Sequence, residues 1–260
     1  MLDNIYQHYR QEELVFVDRV IEWTYTVIDQ FIPYLTPFLT PREVMIVEQL
    51  TSGYEDVKVE KSGGYSNPER QRVLICPHYY EVQKKDFEIE MIEIRYPLKF
   101  AEISHGKILG SILSEGFDRN KIGDIITDEF RWQFFVDKHI SSYILMNLNK
   151  IGNVGVTCQC ISEDEIIHPN IQWLETTVIA SSMRLDTILS KVYNFSRQRS
   201  KVLISSGDVK VNFMQIDRPD IEIGEQDIIS LRRYGRFRIN QIEGITKKEN
   251  YRLKIDVLER

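Results

Sequence analysis

Nine residues in the last third of the chain have the types and spacing to grip phosphate: Arg184, Ser196, Arg197, Arg199, Lys201, Lys210, Asn212, Arg236 and Arg238. Arg197 and Lys201 lie four apart, so on a helix both project from one face. They fall near that helix's amino end, where free backbone N–H groups also favour anions. Ser196 stands where it can cap the helix, and Arg184, on a preceding helix, extends the same surface. Lys210 and Asn212 share strand parity, and Arg236 and Arg238 belong to a last basic strand. The expected division of labour has Arg184, Arg197, Arg199, Lys201 and Lys210 neutralising phosphates. Asn212 donates a hydrogen bond, and Arg236 and Arg238 widen the surface. Such a cluster binds RNA through charge and shape, with few base contacts.

Other chemistries find less support. Cys158 and Cys160 alternate along an expected strand, but with Cys76 the count is odd and no CxxC pair occurs. No third and fourth ligand stand at useful spacing, so small buried side chains are expected there and not a metal site. His78 and His105 are isolated from any recognisable Ser or Cys nucleophile. Gly63-Gly64 with Lys58, Lys61, Arg70 and Arg72 could cradle a phosphate, although a plain hairpin turn on a solvated face is the expectation. Neither a Walker loop nor a GxGxxG motif is present. The chain is therefore expected to carry no catalytic site, metal or cofactor and to take no small-molecule substrate.

The net charge of −6 first argues against a nucleic-acid partner, but its distribution argues for one. Residues 182–240 carry 11 Lys/Arg against 7 Asp/Glu, whereas residues 1–181 carry 17 against 28. A basic end on an acidic body presents one face to phosphate. The composition, 42% hydrophobic and 28% charged, is that of a globular protein. No apolar run approaches the ~18–20 residues of a membrane span, and the polar, acid-bearing start MLDNIYQHYRQEE does not read as a secretory or transit signal. A cytoplasmic protein without membrane contact is expected.

The elements that must position the basic cluster follow from periodicity. Residues 10–32 show a helical stripe of Leu14, Val17, Val20, Ile21, Val27 and Ile28, ended by Pro33 and Pro37. Thr40-Pro41-Arg42-Glu43 reads as a capping box that opens a helix through Leu50. Strand-like runs follow at 57–60 and 72–76. Next come a strand (87–96), a helix (104–115), strands at 123–127 and 131–136, a helix (138–149) and a strand (154–161). That βαββαβ order predicts a ferredoxin-like or RRM-like plait. The RNA-reading aromatic motif of RRM proteins is not evident. Phe134 and Phe135 are adjacent and point to opposite faces, so at least one belongs to a core. From Ser182 a helix carries Leu185, Ile188, Leu189 and Val192. A second helix at 197–204 is capped by Ser196 and closed by Gly207. Short strands follow at 209–212, 221–223, 227–231 and 236–239. The expected class is α+β: an α/β module (1–84), the plait (85–165), a linker (166–181), a small basic domain (182–242) and an extension (243–260).

Two resemblances attach to these motifs. Arg184-Leu185-Asp186, Ser196-Arg197, Lys201, Leu203-Ile204, Gly207 to Asn212 and Gly224 to Ile229 closely resemble the S-four domain. That module is named for ribosomal protein S-four, and its family role is docking on structured rRNA or tRNA. Pseudouridine synthases use an Arg-Leu-Asp catalytic motif, but here the triplet opens the S-four helix and a structural role is expected. The rest is similar to the bacterial YlmH family, through Gly63-Gly64-Tyr65 with Glu69-Arg70, His105 with Ile108-Leu109-Gly110-Ser111, Lys121 to Ile125, and Gln133-Phe134-Phe135-Val136. The resemblance implies a partnership with the large ribosomal subunit and tRNA in the rescue of stalled translation. The expectation is a non-catalytic RNA-binding adaptor; the alternatives are an RNA-modifying enzyme targeted by its S-four domain and a scaffold linked to cell division.

Overall fold

The amino-terminal apolar stripe forms helix α1 (Leu14–Gln30), which buries Val17 and packs Val20 and Val27 against a three-stranded antiparallel sheet. The computed structural model describes residues 6–98, 101–169 and 173–259. It divides the chain into two units, residues 1–170 and 171–260. The first five residues of the polar start and part of the expected linker, residues 170–172, lie outside the described residues. Among those described, no helix is long and apolar enough to cross a membrane.

In the first unit β1 (Tyr34–Leu39), β2 (Val57–Ser62) and β3 (Gln71–Pro77) pair in the order β1-β3-β2. Sequence periodicity missed β1, because Pro33 and Pro37 read as a chain break. β1 lies at the sheet edge, and Pro37 falls inside its register irregularity between Leu35 and Phe38, where the missing N–H costs no ladder bond. Helix α2 (Pro41–Thr51) opens on the expected capping box: Thr40 Oγ1 accepts from Glu43 N at 3.3 Å and Glu43 Oε2 from Thr40 N at 2.7 Å.

The next elements are β4 (Ile89–Arg95), α3 (His105–Ser114), β5 (Ile122–Thr127), β6 (Trp132–Asp137) and α4 (Lys138–Asn147). The last expected strand is broken. β7 (Lys150–Ile151) and β8 (Val154–Gly155) make a small ribbon, and β9 (Thr157–Cys160) pairs with β4. The sheet runs β5-β6-β4-β9, all antiparallel, which is the strand order of a βαββαβ plait. One face sets Ile92, Ile94, Phe134 and Val136 against Ile108, Ile112, Ile140 and Ile144 of the two helices.

The opposite face is buried too. Phe135, fully inaccessible, packs with Phe38, Ile126 and Ile167 and stacks on Tyr65 at 4.9 Å. Gln133 is also fully buried; its amide donates to Glu93 Oε2 and Glu165 O, both at 2.9 Å, and accepts from Ile167 N. Only glycine fits the approach at Gly64: φ is +91°, and an added Cβ would stand 2.6 Å from Phe135 Cδ1. The face on which RRM proteins stack bases is therefore filled by this chain itself.

The second unit holds β10 (Leu174–Ala180), α5 (Leu185–Val192), α6 (Arg197–Ser205), β11 (Val209–Val211), β12 (Met214–Gln215), β13 (Ile228–Leu231), β14 (Gly235–Ile245) and β15 (Tyr251–Glu259). These strands form one antiparallel sheet in the order β10-β15-β14-β13-β11-β12. Two of them overturn sequence expectations, since β10 comes from the expected linker and β15 from the expected extension. The period-2 alternation of Leu253 and Ile255, both fully buried, is the signal that marks β15. The expected strand at 221–223 is only a single bridge, Glu222 to Arg184.

Candidate nucleic-acid interface

Helices α5 and α6 cover one face of the second sheet, burying Leu185, Ile188, Leu189 and Ile204 against Val209, Val211, Phe237 and Ile239. That packing sets which side chains remain outside. Helix α5 begins at Leu185, with Arg184 and not Ser182 at the cap position. Ser196 caps α6, its Oγ accepting from Arg199 N at 3.1 Å, so this hydroxyl serves the helix. Gly207, at φ +78°, ends α6 with its N–H bonded to Ile204 O while Asp208 N reaches Leu203 O.

The centre of the helix face is the carboxylate that closes the Arg184-Leu185-Asp186 triplet. Asp186 is fully buried and gathers three of the expected cations: Arg197 Nε at 3.1 Å, Arg184 Nε at 3.3 Å and Lys201 Nζ at 4.0 Å. Those partners are 53%, 38% and 46% exposed, so their remaining donors face solvent. One anion holding three cations leaves a local surplus of positive charge in a fixed arrangement. Arg199 stands apart, stacked 4.2 Å above the Phe195 ring and donating from Nη2 to Tyr234 Oη at 2.6 Å.

The remaining expected residues do not join this face. Lys210, exposed on β11, pairs in register with Ser230 and through it with Arg236. That row lies opposite Val211, Ile229 and Phe237, which point into the core. Arg236 and Arg238 lie near Trp173, and Arg238 is bound by Asp256. The basic candidates therefore divide between two faces of one sheet.

Asn212 departs furthest from expectation. It is not a strand residue but half of a turn, with φ +48° at Asn212 and +70° at Phe213. Its Nδ2 donates to buried Asp227 at 2.8 Å and its Oδ1 accepts from Ile228 N at 3.0 Å. The amide expected to meet RNA clamps this hairpin to β13 instead.

In the first unit the Gly63-Gly64 loop is no phosphate cradle. Arg70 and Arg72 are 6% and 5% exposed and donate to Phe38 O and Thr36 O. Asp124, quoted above only as part of the Lys121 to Ile125 motif, fastens the loop by accepting from Tyr65 Oη, Glu69 N and Arg70 N. Cys158 is buried beside Leu148, and burial pushes its thiol up to about 12, so it stays protonated. His78 and His105 are exposed. Glu88, Asp137 and His139 bring three potential ligand atoms within 4.8 Å, but Lys121 at 2.7 Å and Arg72 at 3.5 Å already balance Asp137.

Asp186 gives the interface a pH signature. Burial pushes its carboxyl up, but Arg197 and Arg184 outweigh that and hold it below the usual carboxylate range. A depressed folded-state value contributes stability above the unfolded value of ~3.9, lost as pH falls through the folded value. Asp186→Asn is expected to melt lower than wild type at neutral pH, with the gap narrowing below about pH 4. Thermal melts across an acid series check this; a gap that persists unchanged into acid contradicts it.

Two family models match the chain: "YlmH, N-terminal" over residues 12–80 and "Putative RNA-binding domain in YlmH" over residues 82–165. The chain is 34% identical over 255 residues to the ribosome-associated protein quality control protein P2 of Bacillus subtilis (strain 168), covering 98% of this chain and 99% of that one. Among solved structures, the cell division protein ylmH from Streptococcus pneumoniae matches at 34% identity and a TM-score of 0.55, over 63% of this chain and 99% of its own.

Proposed function

The chain belongs to the YlmH family, and from that premise we propose that it is a non-catalytic RNA-binding protein acting on stalled ribosomes. Residues 182–242 serve as an S-four domain that docks on structured rRNA and tRNA, on the large ribosomal subunit carrying tRNA. The name of the Bacillus subtilis relative supports the ribosomal setting, and the family model over residues 82–165 supports an RNA partner. The observation that carries the reading is the cluster around Asp186, where Arg184, Arg197 and Lys201 are held together beside the amino end of α6. Oriented cations at a helix amino terminus bind the phosphates of a folded RNA whatever its sequence. Arg199 extends that face. Lys210, Arg236 and Arg238 belong to the other side of the sheet.

The reading predicts that tagged protein, purified from lysate at low salt, brings down large-subunit rRNA together with tRNA. Recovery of small-subunit rRNA alone, or of protein free of RNA, overturns it.

A further inference from the structure

The face of the second sheet turned away from α5 and α6 has nucleic-acid chemistry of its own. Alternation along β14 sends Phe237 and Ile239 into the core and Arg236 and Arg238 to the opposite side. Register extends that side across the sheet, from Arg236 to Ser230 on β13 and from Ser230 to Lys210 on β11. At ~4.8 Å between strands, Lys210 stands roughly 10 Å from Arg236. The Trp173 indole lies against both guanidiniums, its ring centre 5.2 Å from Arg236 and 4.9 Å from Arg238. Asp256, its side chain 9% exposed, accepts from Arg238 Nε at 2.8 Å and Nη2 at 2.6 Å, which orients that guanidinium in advance. Farther across, Glu175 is matched by Lys254 at 2.9 Å. Lys210 on β11 and Arg236 and Arg238 on β14 are therefore the cations that this register brings to one side.

We propose that this face is a second RNA-contact surface, one that takes unpaired nucleotides. Lys210 and Arg236 hold phosphates, and bases stack on the ladder formed by Trp173, Arg236 and Arg238. The inference rests on the RNA reading above and divides its labour. The α5–α6 face offers cations gathered at a helix terminus, with its nearby rings Phe195 and Tyr234 engaged by Arg199, an arrangement suited to the backbone of a folded RNA. The sheet face sets an indole among cations, an arrangement suited to single strands, because every base presents a π face. A single strand and a folded segment of RNA can then be held on opposite sides of one sheet.

The test measures binding of the full chain to two fluorescent RNAs, a short uridine homopolymer and a hairpin without overhangs. Trp173→Ala, and separately Lys210→Gln with Arg236→Gln, are expected to weaken the homopolymer about tenfold or more while hairpin affinity stays within about twofold. Arg197→Gln with Lys201→Gln is expected to do the reverse. Trp173→Phe restores most of the homopolymer affinity if stacking is the cause, and does not if Trp173→Ala merely disturbs the fold. Homopolymer binding unchanged in the sheet-face variants, or both RNAs weakened equally by them, overturns the proposal. If the helix-face pair leaves hairpin binding intact while the sheet-face variants lose the homopolymer, the helix-face reading fails and this one stands.

Discussion

Exchanging Arg197 and Lys201 for glutamine lowers the affinity for a folded RNA about 30-fold at ~0.15 M salt. That factor follows from counterion release, in which each phosphate neutralised contributes a factor of salt concentration to the power of about −0.9, or roughly fivefold under those conditions. Removing both cations together also flattens the plot of log affinity against log salt by about 1.8. Glutamine is the appropriate replacement because Asp186, fully buried, would otherwise face two new carboxylates with only Arg184 left at 3.3 Å. Unfolding would then be confused with weakened binding. Although Arg197 and Lys201 are 53% and 46% exposed, their partner Asp186 is fully buried, so removing both charges costs about 1–3 kcal/mol of stability. Fluorescence anisotropy at several salt concentrations, with melts alongside, checks both parts. An unchanged slope would mean that the cluster around Asp186 touches no phosphate.

Truncating Phe135 has the largest expected effect on stability and almost none on RNA affinity. Phe135 is completely buried, stacked on Tyr65 at an interplanar angle of 16° and packed beside Phe38 and Ile126. Phe135→Ala leaves a cavity among side chains anchored on separate elements, at a cost of about 3–5 kcal/mol. For a unit of this size that lowers the melting temperature by roughly 6–20 °C. If this plait instead read RNA as RRM domains do, Phe135 would be a base-stacking residue. Its loss would then weaken RNA binding by ~1–3 kcal/mol per base with little change in melting. The two outcomes are opposite, and calorimetry with a binding curve below the transition separates them.

The parts that could be read from the sequence were those with local causes. The capping box at Thr40 to Glu43, the Schellman ending at Gly207 and the alternating strands of the plait depend on neighbours within a few residues, so periodicity and turn chemistry suffice. What remained hidden depends on distant partners. The pair Phe134 and Phe135 shows in sequence only that at least one is core; that both faces of the sheet are covered depends on Phe38 and Tyr65, many residues away. β10 reads as a connector because Leu174 to Ala180 becomes a strand only beside β15. The basic residues were identifiable as a set, but their partition was not, because it follows from the register of β11, β13 and β14. Asn212 misleads for a similar reason: strand parity describes the chain correctly up to Val211, after which two positive φ values turn it. Trp173 carries no local signal at all, and its relation to Arg236 and Arg238 is purely tertiary.

The α5–α6 face is proposed as the anchor of this protein on ribosomal particles. The most direct test is sedimentation of tagged wild type and of the Arg197→Gln/Lys201→Gln variant through lysate gradients at low and moderate salt. Wild type is expected to travel with the large subunit at low salt and to be partly released as salt rises, while the variant stays near the top even at low salt. Wild type and variant travelling together with the large subunit, equally resistant to salt, would contradict it.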